Sequence, residues 1–218
     1  MNNKFNLTIE ENIFLAKKML VGSIYSSAKI EGVNTTFPET ETILEGVNVP
    51  AAKLDDIITI LNLRDAWREI FNTINEPLTL EYLLKINSFV SRNESLEWGS
   101  LRTGKVGISG TNYIPEIPDK TNVANDIIKI SASALSAAEQ ALDIMLYIMR
   151  SQLFWDGNKR TAILSANKYL IINGGGILLI NEEYIAGFNA KLTDFYNTNK
   201  PQELKKFLYE NCILGIEK

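Results

Sequence analysis

The chain has 218 residues, 45% of them hydrophobic, with 22 Lys or Arg against 26 Asp or Glu and a formal net charge of −4. That length suits one fair-sized domain with a small addition, and the acidic balance argues against a uniformly basic face for nucleic acid. No histidine occurs and Cys212 is the single cysteine, which removes imidazole-ligated metals, histidine triads and bases, structural zinc and internal disulfides.

The opening residues lack the apolar core of a signal peptide, and no run reaches the roughly 18 apolar residues of a membrane span, so a cytoplasmic protein is expected. Helical periodicity then dominates. Thr8 and Glu11 read as a capping box. Ile9, Ile13, Ala16, Leu20 and Ile24 follow at helical spacing, predicting one helix from Ile9 to about Ile30 that stops near Gly32. Thr36 and Glu39 form a second capping box for a short helix ending near Gly46. An amphipathic helix is expected over about Leu54 to Ile74. Pro77 breaks it, and Thr79 caps the next, to about Ser91.

The stretch from Asn93 to Pro118 changes character. Gly99, Gly104, Gly107 and Gly110 punctuate it, which predicts an irregular loop or a small β-hairpin and makes it the one good β candidate. A loop of that length in a compact domain usually carries function. Helices are expected at about Asn122 to Leu135, Ala137 to Gln152 and Asn158 to Asn173, the last closed by Gly174-Gly175-Gly176. Two more follow, near Asn181–Asn197 and Pro201–Leu214. Lys17-Lys18 and Lys205-Lys206 read as solvated faces.

The chemistry concentrates in Asp156-Gly157-Asn158-Lys159-Arg160, at the start of a predicted helix. The first N–H groups of a helix lack intrahelical partners and sit at the positive end of its dipole. Glycine allows close approach of a phosphate, and Lys159 and Arg160 add positive charge. Asp156 is a candidate Mg²⁺ ligand. An ordinary capped helix start accounts for the same five residues.

The longer run, Gln152-Leu153-Phe154-Trp155-Asp156-Gly157-Asn158-Lys159-Arg160-Thr161-Ala162, resembles the Fic signature HxFx(D/E)GNGRxxR. Ser27-Ala28-Lys29-Ile30-Glu31-Gly32 is similar to the family's inhibitory motif (S/T)xxxE(G/N). Trp98 to Gly104, followed by Tyr113-Ile114-Pro115, resembles the region that forms the target-binding flap. The resemblance implies an all-α fold, a Fic-type helical bundle with a small β-hairpin flap. It implies N-terminal helices over 1–50 and a core over 51–218, packed as one unit.

It also implies ATP and Mg²⁺ as cofactors, a protein target, AMP transfer to a target hydroxyl, and no membrane partner; a homodimer is left open. By the same resemblance Asp156 would hold Mg²⁺, and Gly157, Asn158, Lys159 and Arg160 would bind the phosphates. Phe154 would anchor the loop. Ser27, Glu31 and Gly32 would form the inhibitory element, and Gly107, Ile108 and Tyr113 the flap. Gln152 stands where the family has its histidine, and an amide cannot take up a proton at useful pH. Standard AMP transfer is therefore expected to be absent or very slow. Lys159, in place of a glycine, is similar to the phosphate-transferring Doc branch. Ile163 replaces the second arginine, which leaves Glu31 to seek Lys159 or Arg160. A non-catalytic nucleotide- or protein-binding module is the further alternative.

Overall fold

A computed structural model describes residues 1–217. Among them, ten helices follow in chain order: α1 (Ile9–Lys18), α2 (Leu20–Ile30), α3 (Phe37–Leu44), α4 (Leu54–Asn72), α5 (Leu80–Val90), α6 (Lys120–Ser131), α7 (Ala137–Ser151), α8 (Asn158–Ile172), α9 (Glu182–Thr198) and α10 (Gln202–Cys212). The expected all-α class stands.

The caps read from sequence are formed. Thr8 and Thr36 each accept the N–H of the glutamate three residues on, and each glutamate side chain returns to the cap backbone. Thr79, Asp119 and Ser136 cap α5, α6 and α7 through their side chains. The single helix expected over Ile9 to Ile30 is two. Met19, at φ −96° and ψ 11°, loosens the coil between them. The bonds from Met19 N to Leu15 O (3.0 Å) and from Ser23 N to Met19 O (2.9 Å) still carry across the break.

The axis of the molecule is α8, where every residue from Arg160 to Ile171 is buried. A helix covered on all sides needs apolar neighbours all round and internal partners for its polar groups. One core cluster packs α6, α7, α9 and α10 against Ala162, Ile163, Ala166 and Leu170. A second packs α1 to α5 against Leu164 and Ile171. The N-terminal helices thus share this central helix with the rest.

The strands are not where the sequence suggested. Ile177–Leu178 (β1) pairs antiparallel with Ile213–Leu214 (β2), in register Ile177 with Leu214 and Leu178 with Ile213. Asn167 of α8 fixes β1: it accepts from Leu178 N (2.8 Å) and donates to Leu178 O (2.9 Å). The segment from Asn93 to Pro118 contains no strand and takes the irregular-loop alternative. Its turn is closed by Thr111 N donating to Ile108 O at 3.1 Å, with Gly110 at φ +78°. Lys205 is also not solvated. It is buried, with Nζ 2.9 Å from both Glu139 and Asp143.

Candidate active site

The turn between α7 and α8 is built on two left-handed residues. Gln152 ends α7 at φ +45°, a conformation that costs a non-glycine residue roughly 1–2 kcal/mol. Its strain is held by neighbours: Gln152 Nε2 donates to Met149 O (2.6 Å) and Arg102 Nε donates to Gln152 O (2.5 Å). Gly157 opens α8 at φ +74°. A Cβ there would lie 2.3 Å from Ser91 Oγ and 2.7 Å from Val90 Cγ1, so this position requires glycine for space as well as for φ.

Between them, Phe154 is buried and anchors the loop. Its N–H donates to Asn158 Oδ1 (3.0 Å), and Asn158 Nδ2 donates back to Phe154 O (2.8 Å). The Asn158 side chain therefore shapes the loop, while its residue lines the cleft. Its Nδ2 also reaches Gln152 Oε1 at 3.3 Å. From below, Asn87 Nδ2 and Ser91 Oγ of the α5 region donate to Asp156 O at 3.0 and 2.9 Å.

A cleft of about 590 Å³ opens over this turn. Gln152, Asp156, Gly157, Asn158 and Lys159 form one side, Gly107 and Ile108 of the loop between α5 and α6 another, Ile30 and Glu31 a third, and Asn189, Thr193 and Tyr196 of α9 the last. Glu31 caps the C-terminus of α2, and Gly32 follows at φ +85°. Lys159 Nζ lies 2.9 Å from Glu31 Oε2 and 3.4 Å from Ile30 O. Ser27 is buried one turn back on α2. The sequence had left Glu31 between Lys159 and Arg160. The structure brings it to both, with Arg160 Nε 3.6 Å from Glu31 Oε1.

Arg160 is also paired with Glu94 (2.7 Å) and Asp156 (3.3 Å). Burial pulls its pKa down, but Glu31, Glu94 and Asp156 together outweigh burial and hold it above its usual range. The bonds of Asp156 fall on Oδ1, which accepts from Gly157 N (2.5 Å) and Arg160 Nη2. The hydroxyl of Tyr196 is buried without a partner at the cleft wall; burial and the charge of Glu31 push its pKa well up.

Tyr113 is not brought into this cleft. It stacks under Arg150, whose guanidinium carbon is 3.8 Å from the ring centre, and lines a separate cleft of about 610 Å³. Ile163 is buried in the core, in the cluster that also holds Leu153 and Phe154. Asn87 and Glu94 were not singled out by sequence, and Arg102 lay within the Trp98–Gly104 stretch without a role of its own. Their roles gave no signal because the partners that define them, at Asp156, Arg160 and the end of α7, are distant in the chain.

Residues 77–170 match the model of the Fic/DOC family. The fold is similar to Fic-1 (residues 134–508) from C. elegans, with a TM-score of 0.79 at 19% identity, over 90% of this chain and 61% of that one. The chain thus spans under two thirds of that structure. A Fic domain-containing signaling protein from Bacteroides thetaiotaomicron has a TM-score of 0.76 at 18% identity, over 94% and 85% of the two chains. BepC, a translocated effector from Bartonella tribocorum with bound AMPPNP, has a TM-score of 0.51 at 17% identity, over 73% and 88%. A comparison with curated proteins gives no match. At these identities the neighbours speak for fold, and the family match includes the segment that builds the turn between α7 and α8. A Fic/DOC-family match therefore spans residues 77–170, with the entry to α8 near its C-terminal end.

Proposed function

We propose that this chain is an attenuated protein AMP-transferase that binds ATP in the cleft and is held shut by Glu31. The observation that carries the reading is the meeting, in one cleft, of the open first turn of α8, Lys159 and Asp156, with Glu31 lodged on the two cations a phosphate would need. The nucleotide-bound state of BepC supports ATP as the ligand class.

Asp156 fits a Mg²⁺ ligand: it is half-exposed at the cleft and its contacts occupy one oxygen. Among the described residues no cluster of three or more His, Cys, Asp or Glu forms a ready cage, which suits a cation that keeps waters and shares phosphate oxygens. When bound, such a cation would neutralise the phosphates.

In the transfer, the target hydroxyl oxygen forms a bond to the α-phosphorus, the bond to the β-phosphate oxygen breaks, and pyrophosphate leaves. The N–H groups of Asn158 and Lys159 receive the phosphates. Gln152 can orient the hydroxyl through its amide but cannot accept its proton, which passes to solvent or phosphate. A general base contributes about 10²–10⁴ in rate. The variant Gln152→His in a Glu31→Gly background should therefore raise transfer of label from α-labelled ATP by about that factor. A double variant that binds ATP in calorimetry yet stays inert towards a protein extract overturns the attenuated-enzyme reading.

One observation favours a second reading. The ammonium of Lys159 reaches into the cleft beside Glu31, where it could hold the triphosphate reversed for phosphate transfer. Label arriving from γ- rather than α-labelled ATP would select that reading.

A further inference from the structure

Arg160 is 3% exposed, and its guanidinium is held unequally at its two ends. Glu94 Oε2 accepts from Nη1 at 2.7 Å, and Val90 O accepts from the same nitrogen at 3.1 Å. At the other end Nη2 reaches Asp156 Oδ1 at 3.3 Å, and Nε is buried without a hydrogen-bond acceptor, facing Glu31 Oε1 at 3.6 Å. That distance is too long for a hydrogen bond.

Glu94 lies outside the cleft wall, on the turn after α5, where its N–H donates to Ser91 O at 3.0 Å. Its carboxylate is itself braced. Asn62 of α4 donates through Nδ2 to Glu94 Oε1 (2.9 Å) and to Arg92 O (2.8 Å). Arg92 Nη2 donates to Asn62 Oδ1 at 3.4 Å. A chain of polar contacts thus runs from α4 through Glu94 to Arg160 and does not pass through Glu31.

We propose that Glu94 is a positioning residue that fixes the Arg160 guanidinium independently of Glu31. When Glu31 leaves, the Nε–H and its charge then face an incoming phosphate with no rearrangement. Such preset donors bind anions better than donors that must first be ordered. The inference rests on the reading of the cleft as a polyphosphate site. Simple charge counting predicts the reverse effect, because removing a carboxylate should attract a polyanion.

The test uses the full chain with ¹⁵N-labelled arginine. The Arg160 Nε–H resonance should stay sharp in Glu31→Gln and broaden or vanish in Glu94→Gln. On the Glu31→Gln background, Glu94→Gln should weaken inorganic tripolyphosphate binding by about tenfold, the worth of one lost charge-assisted hydrogen bond. Asn62→Ala, which removes the brace and keeps the charge, should weaken it in the same direction. An unchanged resonance in Glu94→Gln, or tighter tripolyphosphate binding, overturns the proposal. If tripolyphosphate binds none of the variants, the cleft reading fails, and the resonance alone still decides the role of Glu94.

Discussion

Lys168 sits inside α8 with 1% of its surface exposed. Its ammonium donates to Ile74 O at 2.7 Å and lies 4.8 Å from the centre of the Tyr82 ring. Burial pulls its pKa down to about 8, against a smaller upward pull from Glu76. In the unfolded chain a lysine titrates near 10.4. Between those values the unfolded state holds more protons, so stability rises with pH. Wild type should gain about 1–2 kcal/mol between pH 7.5 and 9.5 relative to Lys168→Met, measured by urea titration. Parallel pH profiles for the two proteins would show that the ammonium is not desolvated. Asn87 makes a comparable point for hydrogen bonding: its one buried amide holds Ser91, Asp156 O, Thr161 and Gly99 N. Neither residue announces itself in the sequence, because a lysine or asparagine on a helix is ordinarily solvated.

At the scale of elements, the long loop between α5 and α6 is held by a side chain rather than by a β-ladder. Arg102 is 1% exposed. It donates to Gly104 O, Pro115 O and Glu116 O on the two sides of that loop, and to Ser151 O and Gln152 O at the end of α7. Burial lowers its pKa, with Tyr113 pulling weakly upward. The carbonyls at the end of α7 supply partial negative charge where a carboxylate would otherwise be needed. Arg102→Leu leaves five carbonyls without this donor and should cost roughly 3 kcal/mol or more. The loss should appear as faster proteolytic nicking within residues 105–114. A loop as resistant in Arg102→Leu as in the wild type would mean that it is held by packing, such as that of Gly104 against Trp155.

For the molecule as a whole, the N-terminal helices over 1–50 and the segment 51–218 contribute to the same core clusters. Ala16, Ile24 and Ile43 share a cluster with Trp67, Leu164 and Ile171, while Ile30 joins the cluster around α7. Elements that share one core unfold together. Urea unfolding followed by tryptophan fluorescence and by far-ultraviolet circular dichroism should therefore give coincident transitions. An earlier fluorescence transition, reporting release of Trp67, would instead mark the N-terminal helices as a separate unit. Among the described residues no helix is long and apolar enough to cross a membrane.

Local chemistry determined much of this protein from sequence alone. Capping boxes, apolar spacing and glycine stops act within a few residues, so the helices from α3 onward and the turn from Gln152 to Arg160 could be read directly. The left-handed Gly157 at the start of α8 was legible for the same reason: it is a property of contiguous chain. What needed the tertiary structure were the pairings across sequence distance. Two-residue strands such as β1 and β2 carry no periodicity to detect, and their partners lie some 35 residues apart. The roles of Glu94, Arg102 and Asn87 also waited on the fold. A polar residue declares its partner only when burial removes water and leaves it one choice.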